Sequence, residues 1–98
     1  MVAPEELIPA ARALARSYID ATAPVSIALI RQMMWRMLGA SHPMEAHRID
    51  SKAMFHRGRS ADVKEGITSF LEKRPARFTD TVSGQFPDLP WGEEPPYR

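Results

Sequence analysis

Between Pro24 and Gly39 the chain carries a helix with almost no polar side. Val25, Ile27, Ala28, Leu29, Ile30, Met33, Met34, Trp35, Met37 and Leu38 surround it, and only Ser26, Arg31, Gln32 and Arg36 are polar. A helix that is apolar all round is normally buried on all sides. In a chain of 98 residues three other short helices cannot easily supply that cover. Two solutions remain. The helix is central in a small bundle, or its methionine-rich surface packs adaptably against something outside the chain.

The flanking segments are also helical. Pro4 suits a first helical turn, Glu5 and Glu6 complement the positive end of a helix dipole, and Leu7, Ile8, Ala11, Leu14, Ala15, Tyr18 and Ile19 share one face. This pattern predicts a helix from about Pro4 to Ala21, with Pro9 early enough to be tolerated. Thr22-Ala23 is a break, and Gly39 a natural left-handed cap for the next helix. Pro43 opens a third helix ending near Gly58. Ser60 caps a fourth, with Asp62 in its first turn, Val63, Ile67, Phe70 and Leu71 on one face, and Pro75 marking its end. After Phe78 the periodicity dissolves into a tail with Pro87, Pro90, Pro95 and Pro96. The tail's Phe86, Leu89, Trp91 and Tyr97 predict that it lies along a surface. The expected fold is all-α: a small bundle of about four helices over residues 1–78, followed by an extended proline- and aromatic-containing tail over 79–98.

Composition narrows the chemistry. Thirteen basic and 12 acidic residues nearly cancel, and the absence of cysteine excludes disulfides and thiolate chemistry. No stretch approaches the ~20 apolar residues of a membrane span, and the N-terminal residues do not read as a signal peptide, so a cytoplasmic protein without a membrane partner is expected. His42 and His47 are five apart, the wrong spacing for joint ligation on a helix, and no metal site is expected. Glu45 with Asp50, or Asp62 with Glu65, lack the surroundings an acid–base pair needs. Asp62 and Glu65 are more simply first-turn residues facing the helix dipole. No catalytic residue is assigned. Arg48, Lys52, Arg57, Arg59, Lys64, Lys73, Arg74 and Arg77 flank Phe55, Phe70 and Phe78. Such a set suits a helix-turn-helix DNA reader, a phosphorylated nucleotide-bearing molecule or a solvated basic face. The interspersed acids and near-neutral charge argue against nucleic acid as a partner.

The stretch from Phe55 to Phe78, FHRGRSADVKEGITSFLEKRPARF, resembles the closing segment of the crotonase superfamily, the enoyl-CoA hydratase/isomerase group. The hallmarks are a phenylalanine, Ser60-x-Asp62-x-x-Glu65-Gly66, Phe70-x-Glu72-Lys73-Arg74 and a last aromatic. Upstream, Glu6-Leu7-Ile8-Pro9-Ala10-Ala11-Arg12-Ala13-Leu14-Ala15 resembles the helix that leaves the catalytic domain, and Ala23-Pro24-Val25-Ser26 the start of the next. The resemblance implies the small helical C-terminal domain of a protein whose preceding ββα spiral domain carries the oxyanion donors and acid/base glutamates. It also implies assembly as trimers or pairs of trimers, an acyl-CoA thioester as substrate of the whole protein, no further cofactor, and no activity in this segment alone. Phe55, Phe70 and Lys73 match positions at which hydratases contact coenzyme A, often from a neighbouring subunit; Phe55 and Phe70 equally fit core positions. Pro75 and the length of the tail depart from the family pattern, and no role is implied for Trp91 or Tyr97. The alternative outside the family is a freestanding helical protein–protein interaction module.

Overall fold

A one-turn 3₁₀ segment, Pro4–Glu6, leads into α1, Leu7–Ile19, which passes through Pro9 without a break. The first N–H groups of a helix have no intrahelical acceptor, so a proline there forfeits little. Thr22 ends α1 by donating its hydroxyl to the carbonyls of Tyr18 at 2.7 Å and Ile19 at 3.2 Å. Pro24 starts α2, Pro24–Arg36, and Pro43 starts α3, Pro43–Gly58, each at the first-turn position where its missing N–H is harmless. His42 caps α3, its Nδ1 accepting from the Met44 N–H at 3.0 Å. α4, Ala61–Leu71, follows at once, with the Ser60 hydroxyl accepting from the Val63 N–H. The computed structural model describes residues 1–93, so Pro95, Pro96 and Tyr97 lie outside the described residues.

The all-α expectation holds, with four main helices. Three details differ. α1 stops at Ile19, short of Ala21. α2 ends at Arg36, because residues 37–39 form a turn with Met37 still in right-handed geometry, so Gly39 is not a left-handed cap. The tail contains a single helical turn, α5, Val82–Gln85, capped by the Thr81 hydroxyl.

The core is small and lies between α2, α3 and the tail. Val25 and Leu29 meet Ile49 and Ala53, and Leu89 completes the cluster at 7 % exposure, with Met33, Met37, Phe86 and Trp91 packed around it. The tail therefore does more than lie along the surface: among the described residues it supplies Leu89 to this buried cluster of five. Trp91, given no role by the sequence, holds the Arg36 guanidinium 5.3 Å from its ring centroid.

α1 buries no residue at all. Leu7, Ile8, Leu14, Tyr18 and Ile19 are exposed on it, as are Ile27, Ile30, Met34, Trp35 and Leu38 on and just beyond α2. The central-helix expectation is thus met on only one side of α2. The radius of gyration is 16.8 Å, against about 13 Å for a compact domain of this length. Among the described residues no helix is long and apolar enough to cross a membrane.

Candidate functional site

The junction of α3 and α4 brings Arg57 and Asp62, both singled out by the sequence, together with Asp80 of the tail. Arg57, on the last turn of α3, is buried and donates from one terminal nitrogen to Asp80 at 2.8 Å and to Asp62 at 3.3 Å. Asp62 uses its second oxygen to accept the N–H groups of Thr79 at 2.9 Å and Asp80 at 3.1 Å. Three hydroxyl and carboxylate side chains of the Ser-x-Asp-x-x-Glu motif thus have separate tasks. Ser60 caps α4, Asp62 fastens the returning chain, and Glu65 clamps it further along. Both oxygens of Glu65 accept from Arg74, at 2.6 and 3.0 Å, and one also accepts the Arg77 N–H at 2.7 Å. Phe78 then lies over Gly66, its ring 3.7 Å from where a Cβ would stand. Asp62 and Glu65 act as anchors for residues 74–80 as well as being early helical residues; sequence spacing does not show which distant N–H groups they meet.

The hydrogen bonds from Arg74, and after them the one from the Arg77 N–H, pull the Glu65 carboxyl down to about 2 from an ordinary 4.5. Arg74 moves the opposite way, held protonated by Glu65 first and Glu72 second. The sign follows from the lowered value. The clamp's contribution to stability is fully present above pH 4.5 and fades as pH falls toward 2. Urea midpoints measured between pH 7 and 2 should fall more steeply across that window for the native chain than for Glu65→Gln. Equal slopes would show that the clamp does not form in solution.

Beside this junction lies a hollow of about 480 Å³, lined by Phe55, His56, Arg57, Arg59, Ser60, Asp80 and Gln85 among others. Arg59 sits 5.5 Å from the Phe55 ring centroid, making a cationic aromatic shelf at its rim. Two nitrogens of Arg57, Nε and Nη1, are buried with no acceptor among the described residues.

The three residues matched to coenzyme A contacts are placed unequally. Phe55 lines the hollow. Phe70 and Lys73 sit together at the C-terminal end of α4, the Lys73 N–H donating to the Phe70 carbonyl, and line no described cavity. Phe55 is 69 % and Phe70 82 % exposed, so neither ring packs into the core that this segment forms by itself. Both lie on faces turned away from the Val25–Leu29–Ile49–Ala53 core. Lys73 adopts φ 53, the left-handed position of a helix-ending motif in which Arg74 N–H returns to the Ser69 carbonyl at 3.0 Å. Glycine is the usual occupant there, because a side chain in this region costs about 1–2 kcal/mol. Among the described residues no group of three His, Asp or Glu side chains is arranged to hold a metal ion.

No family model matches the chain. It is 38 % identical over 78 residues to enoyl-CoA hydratase AKT3-2 of Alternaria alternata, and 37 % identical over the same length to enoyl-CoA hydratases ACTT3 and AFT3-1 of that organism. Each match covers 80 % of this chain but only 26 % of the relative, so the chain spans about a quarter of the length of the proteins it matches. The resemblance read from the sequence agrees with these matches: over 78 residues this chain is similar to a part of those enoyl-CoA hydratases.

Proposed function

We propose that these residues form the helical C-terminal oligomerisation and coenzyme-pocket-capping domain of an enoyl-CoA hydratase/isomerase-like protein acting on acyl-CoA thioesters. The observation that carries the reading is an excess of surface. The chain exposes 8411 Å², whereas a folded monomer of its 11.0 kDa exposes about 5,600 Å². The difference is larger than the ~800 Å² per partner of a standard interface and falls in the range of obligate assemblies. Much of that surface is the apolar side of α1 and α2, which a catalytic domain, neighbouring subunits, or both would cover. Phe55, Phe70 and Lys73 remain the residues proposed to meet coenzyme A; their exposure leaves them available to a pocket completed by another domain. No catalytic role is proposed for any residue, and the segment by itself is expected to be inactive.

Sedimentation and enzyme kinetics test the two halves. The purified chain should self-associate, and Met34→Glu with Leu38→Glu should shift it toward monomer or unfold it. A monodisperse monomer at high concentration would remove the oligomerisation half. With the segment joined to a catalytic domain of the hydratase type, Lys73→Ala should raise KM for an acyl-CoA several-fold and leave kcat unchanged, the pattern of lost uniform binding. Lys73→Gly should do the same while holding or raising the melting temperature, because it relieves the left-handed strain at φ 53. A freestanding interaction module would self-associate or bind a partner equally well, but its Lys73 variants would leave coenzyme binding untouched.

A further inference from the structure

The basic residues that cluster in the sequence are distributed by the fold into different duties. Arg57 is spent on Asp62 and Asp80, Arg74 on Glu65 and Glu72, and Arg59 on Phe55. Arg48 and Lys52 make no ion pair among the described residues. They stand four apart on α3, where like charges repel along the helix face. Both line a hollow of about 360 Å³ that is also lined by Pro90, Trp91 and Gly92 of the tail and by Met37 and Ile49. That volume falls within the roughly 300–1,000 Å³ of small-molecule pockets. Its one carboxylate, Glu45, accepts a hydrogen bond from the Ser41 hydroxyl and keeps its charge, so the lining carries a net charge of one positive unit. Two cations on one helix, one carboxylate and a half-buried indole whose ring also carries the Arg36 guanidinium thus line a single hollow. The indole offers a stacking surface, Arg48 a planar fork for two oxygens, and Lys52 a point charge.

We propose that this hollow between α3 and residues 90–92 binds an organic phosphate that carries a planar ring. Trp91 takes the ring, and Arg48 with Lys52 takes the phosphate. The site shares no residue with Phe55, Phe70 and Lys73 and does not depend on the coenzyme reading. The test is a titration of the full chain with AMP, following Trp91 emission in a Trp35→Phe background. Saturable quenching is expected, weakened about tenfold in the Arg48→Ala/Lys52→Ala double variant and reduced by added salt. Adenosine and ribose 5-phosphate, each holding half the recognition elements, should bind more weakly than AMP. Arg48 and Lys52 are exposed, so the double variant should keep the native melting curve and its result can be read directly. A flat titration with native chain, an unchanged affinity in the double variant, or an equal loss in Lys73→Ala would each overturn the proposal.

Discussion

Leu89→Ala is expected to cost about 2–5 kcal/mol and to leave the chain at or near the edge of folding. The side chain is buried against Val25, Leu29, Ile49 and Ala53, and among the described residues those five make up the buried hydrophobic cluster. Replacement would open a void in a core with too few neighbours to collapse into it. Since domains are stable by only about 5–15 kcal/mol, and small ones by less, such a loss is a large share of the whole. Removing residues 79–98 should be more damaging still, because it takes Phe86, Trp91 and Asp80 along with Leu89. Circular dichroism with urea titration would measure both. A truncated chain that still unfolds cooperatively at the native midpoint would show that the tail is dispensable.

Arg57→Met should be the costliest single change at the α3–α4 junction, about 3–5 kcal/mol. It deletes the cation on which two buried carboxylates depend and leaves Asp62 and Asp80 facing each other without compensation. Asp62 would keep its bonds from Thr79 and Asp80, so the damage concentrates on the charge balance instead of on the backbone path. The check is a double-mutant comparison. Arg57→Met combined with Asp80→Asn should recover a good part of the loss, because one of the stranded charges is then gone. Additive losses would mean that the two side chains do not interact in solution. Arg57 itself is an expensive residue to keep. Its buried Nε and Nη1 make no hydrogen bond among the described residues, and each unsatisfied donor costs about 1–3 kcal/mol. The network is therefore better understood as a device that fixes the path of residues 79–80 than as a net source of stability.

The helices were legible in the sequence because their signals are local. Prolines at positions 24 and 43, the Ser60 cap and the three-and-four spacing of apolar residues act within a few residues of the structure they specify. The family resemblance was legible for a related reason: Ser60, Asp62, Glu65, Gly66 and Lys73 lie within one short run, and the matches to the Alternaria hydratases agree with it. Gly39 was misread because a glycine after a helix permits a left-handed cap without requiring one, and here Met37 ends the helix in right-handed geometry. The exposure of Phe55 and Phe70 was not legible, since a phenylalanine at helical spacing fits a core and an open face equally well. Only the angle at which α3 and α4 meet their neighbours decides between them.

What the residues alone determined is where helices begin, that no thiol chemistry exists, and that one helix carries more apolar surface than so short a chain can cover. Tertiary structure decided the pairings across long sequence separations. Arg57 meets Asp80 over 23 residues, Asp62 takes the N–H of Thr79 over 17, and Leu89 returns to the Val25–Leu29 face of α2. Those contacts depend on how the chain folds back after Pro75, and no spacing rule encodes a return path. The helical period reports a residue's side of its own helix, whereas a buried ion pair or a tail side chain entering the core reports where two helices and a loop converge.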